Sequence, residues 1–312
     1  MQTTMILKRK DKGYIRINTS DCTISTDSDM VEIEIVGYIE EPAEKDIPPM
    51  IPYAWTQEAP FNAELPYFEK EKAHAAPGCT QISLAMVAAY YGNVGIGGKT
   101  YPKGIDKTAE YVSKKGTAYE KTIPSLDAVP APPKDGCFNY KAFDLKKAAS
   151  FNTAESKAAV AKFLKHICYS DYTSFGVTAS SCSLSRALSE TINKRMHLAK
   201  KASIIYSKDG LDTFKEKILE ELKGGHPVLM AASGTKTKEG VVTSIGHTFI
   251  CDGWRASDKK FHLNLGMAES ANGYYDLENI IITIGGITWD LSHTTAGELS
   301  LHCIINLHPE EL

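Results

Sequence analysis

Nowhere in its 312 residues does the chain run apolar for eighteen positions, which excludes a membrane-spanning helix. It also lacks cysteines at C-x-x-C spacing, the mark of a structural zinc or redox site. The seven cysteines are Cys22, Cys79, Cys137, Cys168, Cys182, Cys251 and Cys303, an odd number, so at least one thiol stays free however the others pair. Their spacing alone determines no disulfide. Charge of one sign is wanting too. Lys and Arg number 35 against 38 Asp and Glu, and a formal net charge of −3 gives no electrostatic case for nucleic acid or an anionic membrane. The opening passes from Met1 to Lys8-Arg9-Lys10 with no apolar core after the charges, so it does not read as a leader peptide. What is present is an ordinary globular composition, 43% hydrophobic and 23% charged, at a length suited to one large domain or two lobes sharing a cleft.

Residues 1–50 read as a polar, loop-like extension with one strand, Met30–Ile39, where acidic and β-branched residues alternate. A proline-rich stretch from Pro42 to Pro52 then reads as an extended linker, which divides the chain into an N-terminal extension or pro-segment remnant (1–50) and a main domain (51–312). Residues 92–133 read as loops, with a short helical stretch near Lys107–Lys114. The run Gly95-Ile96-Gly97-Gly98-Lys99-Thr100 imitates a phosphate-binding loop, but Asn93 stands where its first glycine belongs and Pro102 follows, so it is rejected. Helical spacing recurs in Glu155–Cys168, at Leu184, Leu188 and Ile192, and at Leu211, Phe214, Ile218 and Leu222. From Pro227 onward strands take over: Val228–Ala232, Gly246–Asp252, Phe261–Leu265, Gly273–Leu277, Ile280–Ile284 and Leu299–Leu307. A helical first half and a sheet-rich second half predict an α+β fold with two lobes.

The stretch Pro77–Gly92 carries the chemistry. It turns at Pro77-Gly78, places Cys79 at the first step of a helix, and then runs apolar nearly all round to Tyr91-Gly92, as a buried helix does. A thiol at a helix N-terminus meets unpaired N–H groups that favour the thiolate. Most cysteines are small buried hydrophobes, so the thiol needs a base beside it to count as chemical. His247 is the first choice. The segments Gly246–Gly253 and Phe261–Gly266 read as the arms of a hairpin, and a turn centred near Arg255-Ala256 sets His247 opposite Asn264 as its orienting partner. His262 is the rival base, ranked lower for want of an orienter. Gln57 offers a carboxamide for an oxyanion, together with the backbone N–H of Cys79. Taken singly, each has a plainer reading: a satisfied strand-end histidine, a turn-capping asparagine, a surface glutamine.

Taken in order, these pieces resemble the streptopain-like cysteine peptidases, a secreted bacterial branch of the papain-like fold. The resemblance rests on Trp55-Thr56-Gln57-Glu58-Ala59-Pro60-Phe61-Asn62, on Gly78-Cys79 opening a long helix, and on Leu222-Lys223-Gly224-Gly225-His226-Pro227-Val228. It continues through Gly246–Gly253, Phe261–Gly266, Asn272–Leu277 and the terminal Ile304–Pro309, covering roughly residues 50–309. It implies a papain-like two-lobe fold, with the Cys helix in a helical lobe and His and Asn on an antiparallel sheet. It further implies Cys79 as nucleophile, His247 as general base and acid, Asn264 as orienter and Gln57 in the oxyanion hole. Secretion or a cell-surface location, a zymogen held off by an inhibitory propeptide or inhibitor protein, and a protein or peptide substrate are implied as well. No cofactor or metal is expected, only reducing conditions for the thiol.

The chain departs from that pattern at the helix start, Cys79-Thr80-Gln81-Ile82 against the family's Cys-Val-Ala-Thr, and again after Asn264. The family carries Asn-Trp-Gly-Trp-Gly-Gly where this sequence has Asn264-Leu265-Gly266-Met267-Ala268-Glu269, so both tryptophans that would shield the His–Asn bond are absent. The expected function is a cysteine endopeptidase. The alternatives are a weakened or silent homologue that binds peptides in the cleft, and a Cys-dependent amidase or transpeptidase acting on small or cell-wall peptides.

Overall fold

The computed structural model describes residues 44–91, 153–170, 173–192 and 202–308, together with the backbone of strands 3–9, 13–18, 33–40, 107–112 and 118–123. The chain divides into two compact units, Met1–Asp46 and Ile47–Leu312. The smaller is not the loop-like extension with a single strand that its polarity suggested. It holds a three-stranded antiparallel sheet of β1 (Thr3–Arg9), β2 (Gly13–Asn18) and β3 (Ile33–Glu40), in the order β2-β1-β3. The strand signals are short, an apolar run Met5-Ile6-Leu7 in β1 and an alternation of Ile15 and Ile17 about Arg16 in β2, and the flanking Lys8, Arg9 and Lys10 disguise them.

The larger unit begins by joining its own sheet. Ile47 pairs with Trp254, the Met50 N–H bonds the Asp252 carbonyl at 3.0 Å, and the Ile51 N–H reaches the buried Asp252 carboxylate at 2.8 Å. A small hairpin of β4 (Tyr67–Phe68) and β5 (Ala73–His74) precedes helix α1, Cys79–Tyr91. Where a short helix was expected near Lys107–Lys114, the chain forms β6 (Lys107–Val112) paired with β7 (Ala118–Ile123). Thr108, Tyr111, Val112, Tyr119, Thr122 and Ile123 are strand formers, and their pairing prevails over a weak helical spacing. The stretch Gly95–Thr100 lies outside the described residues. Helices α2 (Ala154–Ser170) and α3 (Leu184–Arg186, continuing as a π-helical turn over Ala187–Ile192) follow, then β8 (Ser203–Tyr206) and α4 (Leu211–Lys223).

The main sheet is antiparallel throughout. It comprises β9 (Val228–Lys238), β10 (Val241–Arg255), β11 (Lys260–Asn264), β12 (Gly273–Tyr275), β13 (Ile281–Ile284), β14 (Ile287–Asp290) and β15 (Leu301–Ile305), with β8 on β15. The order β12-β11-β10-β9-β14-β13 puts β9 and β10 at the centre. Both strands run beyond their expected ends because Thr235, Thr237, Val241, Val242 and Thr243 are β-branched, although the surrounding lysines and glycine look like a loop.

The alternation of β9 and β10 separates two cores. Leu229, Ala231 and Ile250 face α1 and α2, where Ile82, Leu84, Met86, Phe163 and Ile167 are buried. Val228, Met230, Phe249 and Cys251 face the α4 residues Phe214, Ile218 and Leu222. Because both neighbours of α1 are apolar, its whole circumference is buried, as its composition predicted.

One crossing in the sheet requires a glycine. A Cβ at Gly234 would collide with the Asp290 carbonyl, so the chain leaves the end of β14 directly over a bare backbone. The substitution Gly234→Ala should destabilise the fold by about 1–3 kcal/mol, measured as a lower denaturant midpoint at unchanged slope. An unchanged midpoint would contradict the crossing.

Candidate active site

Gly78 and Cys79 are held at the mouth of α1 by a turn that only glycine makes easily. Gly78 has φ +100°, and a Cβ there would strike the Gln81 side chain. Upstream, Trp55 is fully buried, with ring centroids 5.7 Å from Tyr53, 5.4 Å from Phe61 and 6.4 Å from Phe163. That anchor fixes Gln57 two residues on, and its Oε1 accepts the Gly78 N–H at 3.1 Å. The carboxamide is thereby placed beside Cys79, with its NH2 group available to an oxygen near the sulfur.

Helix α1 is pinned to β10 at Thr248, the residue after His247. Thr80 Oγ1 lies 2.9 Å from Thr248 Oγ1 and donates to the Cys182 carbonyl at 3.0 Å, while Ser83 Oγ donates to the Thr248 carbonyl at 3.3 Å. Since the single Thr80 proton goes to Cys182, the Thr248 hydroxyl is the donor between the two threonines. Cys79 and His247 meet across this joint. Burial pushes the Cys79 thiol up, but the hydrogen bond and charge of His247 bring it down, aided by the N–H and hydroxyl of Thr248. Its pKa falls from 9.0 to about 7. The one Thr248 hydroxyl proton therefore has two acceptors, Thr80 and the sulfur.

The partner of His247 is not the one the expected register supplies. Asn264 pairs with Ile250, not with His247, and the ladder shifts between Cys251 and Gly253. The turn is four residues, Ala256–Lys259, centred two places further along the chain than Arg255-Ala256, and the bulge restores only one place of the resulting shift. What holds His247 is main chain: Nε2 bonds the Leu265 carbonyl at 2.8 Å. A carbonyl only accepts, so Nε2 carries the proton, and in the neutral ring Nδ1 is left as the base. Asn264 acts one step behind, with Nδ2 donating to the Tyr53 carbonyl at 2.6 Å and Oδ1 accepting the Gly266 N–H at 3.3 Å. The Leu265 N–H is held by Asn272 Oδ1 at 2.9 Å, so the peptide aimed at His247 is held through its own Gly266 N–H and the peptide before it through Leu265.

The rival base does have an orienter. His262 Nδ1 donates to Asp252 Oδ1 at 2.6 Å, and its ring meets Tyr274 edge-on at 5.2 Å. Asp252 is fully buried and its other oxygen takes the Ile51 N–H, so this pair ties the start of the larger unit to the sheet. The group lowering the Cys79 pKa is His247.

Sequence reading also missed what covers His247. Leu265 is fully buried in the core, and Met267 packs against that core. The aromatic cover comes from β14 instead, where Trp289 sits 6.5 Å from the imidazole centroid at 49°, with Phe249 at 6.0 Å. Trp289 is one of three tryptophans in the chain and lies in a β-branched run, its only local signal. Among the described residues, no group of three or more His, Cys, Asp and Glu side chains is arranged to hold a metal, and no helix is long and apolar enough to cross a membrane.

A thiol at a helix start, a histidine on an antiparallel sheet and a carboxamide upstream, on an α+β frame, define the layout of a papain-like cysteine peptidase. Residues 55–275 match the model of the Peptidase C10 family, and the chain belongs to that family. It is 25% identical over 230 residues to the thiol protease/hemagglutinin PrtT of Porphyromonas gingivalis, a match covering 72% of this chain but only 23% of that protein. Among solved structures it is similar to active wild-type interpain A cysteine protease of Prevotella intermedia, with TM-score 0.60 and 18% identity over 84% of this chain and 95% of that one. A prointerpain A fragment matches with TM-score 0.57 and 16% identity over 85% of this chain and 73% of that one.

Alkylation of Cys79 should rise with pH and reach half its maximal rate near pH 7, well below the ordinary thiol range of about 8.5. The depressed value means thiolate predominates above that point and is lost as pH falls through it. His247→Ala should move the midpoint upward, and Thr248→Val should move it upward by less. Rate–pH profiles with iodoacetamide and mass mapping of Cys79 check both.

Proposed function

We propose that the protein is a cysteine endopeptidase working through Cys79 and His247. The observation that carries this reading is the meeting of the Cys79 thiol at the start of α1 with a His247 whose Nε2 proton is committed to the Leu265 carbonyl. Nδ1 takes the thiol proton, and the sulfur attacks the scissile carbonyl carbon to form a C–S bond. The oxyanion gathers donors from Gln57 and the Cys79 backbone N–H. As the C–N bond breaks, His247 returns its proton to the leaving amine. Water then enters and gives a proton to His247, and the C–S bond breaks to release the acid and regenerate the thiolate. No cofactor takes part, and reducing conditions keep the sulfur reactive.

The aromatic cover from Trp289 favours an active enzyme over a silent homologue, because it shields the imidazole despite Leu265 and Met267. Family membership favours protein or peptide substrates. The N-terminal region 1–50 is proposed as a pro-segment or inhibitory extension, in keeping with the pro-form among the similar structures. Secretion or surface display accords with the family resemblance.

Cys79→Ala should reduce peptide hydrolysis by at least about a thousandfold and abolish labelling by an epoxide thiol inhibitor. Persistent labelling of the variant would refute Cys79 as nucleophile. Cleavage within long peptides, compared with release from small amides, checks the endopeptidase assignment.

A further inference from the structure

The hairpin of β9 and β10 extends past His247, and its face there carries side chains that the proposed reaction does not use. His247 pairs with Ala232, so Gly234 and Lys236 on β9 point to the same side as the imidazole. Trp289 pairs with Lys236 across the other edge of β9 and so joins that face. The bare backbone of Gly234 lies between His247 and Lys236, where the chain at Asp290 and Leu291 passes over it. The indole lies against the imidazole on one hand and takes Lys236 Nζ at 5.3 Å from its centroid on the other.

Lys236 has no acidic partner among the described residues. Lys165, Lys215, Arg255, Lys260, His262 and His293 are among the residues there that do face a carboxylate. The adjacent carboxylate, Asp290, is committed to the Ser292 and His293 N–H groups and to the His293 ring. Thr243 and Ile245 complete the face without charge, and exposed Lys238 lies two residues further out on the same side. The ammonium of a half-buried lysine, with an indole excluding water on one flank, attracts an anion more strongly than that of a fully solvated lysine would.

We propose that Trp289 and Lys236 form a subsite for a carboxylate on the leaving-group side of the scissile bond. The side assignment rests on the proposed reaction, in which His247 hands its proton to the departing amine, so the departing chain lies beside His247. The two ring distances put the ammonium at most about 12 Å from the imidazole centroid. Two extended residues cover about 7 Å, and an acidic side chain or a free C-terminal carboxylate supplies the rest. The carboxylate is thus an Asp or Glu side chain within the first two departing residues, or the chain end itself.

Binding can be read without hydrolysis. The full chain carrying Cys79→Ala is titrated by calorimetry with Gly-X-Ala-amide peptides in which X is Glu, Gln or Lys, and with Gly-Ala as free acid and as amide. The Glu peptide should bind about five- to tenfold more tightly than the Lys peptide, with Gln between them. Lys236→Glu should invert the order and Lys236→Gln should flatten it, whereas Lys157→Glu, an exposed reversal on α2, should leave it unchanged. Tighter binding of the Gly-Ala acid than of its amide identifies the chain end as a source of the carboxylate; equal binding of that pair identifies the side chain. Equal binding of Glu and Lys peptides, an order that survives Lys236→Glu, or no binding of any peptide would overturn the subsite. Charge-selective binding alongside a wild-type chain that hydrolyses nothing would overturn the proposed reaction and the leaving-side assignment while keeping the carboxylate site.

Discussion

Everything in the site depends on the joint between α1 and β10 at Thr248. The sulfur and the imidazole arrive from distant parts of the chain, one on a buried helix and the other on a central strand. Two short hydrogen-bonded side chains, Thr80 and Ser83, lock helix to strand one residue away from His247. The helix cannot slide without breaking bonds in a region that water does not reach, where an unmet donor costs about 1–3 kcal/mol. The apolar circumference of α1 adds the bulk of the hold, and the threonines set its register.

That arrangement explains why two cores are needed. With β9 and β10 buried on both faces, the strands that carry His247 are rigid, and the same alternation points Thr248 at the helix and His247 toward the β14 side. The far end of the hairpin is less covered, with Val241 and Val242 largely exposed. A rigid centre that opens into a solvent-facing extension is a suitable frame for a cleft, in which the reacting atoms are fixed and the binding surface lies just beyond them.

Much of this was legible in the residues. Helix α1 declared itself by being apolar all round and by the Pro77-Gly78 turn before it, and Cys79 and His247 were both named from sequence. Gln57 was found through the Trp55–Asn62 stretch that carries the family resemblance, since spacing alone left it a surface glutamine. The partner of His247 could not be found, because the turn at Ala256–Lys259 displaces the hairpin register by more than the bulge between Cys251 and Gly253 restores, and neither leaves a mark in composition. Lysines and threonines hid the outer half of β9. Trp289 was invisible as a neighbour of His247, since their approach depends on Gly234 letting a strand pass overhead, a long-range event with no local spacing.

The use of a backbone carbonyl to hold His247 has an evolutionary side. Every amino acid carries that group, so no substitution at position 265 deletes it, and the residue there answers to the core rather than to the imidazole. Leucine at 265 is then no surprise, since the position is released from any duty to the base. The obligation passes to Asn264 and Asn272, which hold the two peptide units that flank Leu265. Drift in a lineage built this way would be tolerated at the residue nearest the histidine and penalised at the two asparagines, whose hydrogen bonds go to the main chain rather than to the imidazole.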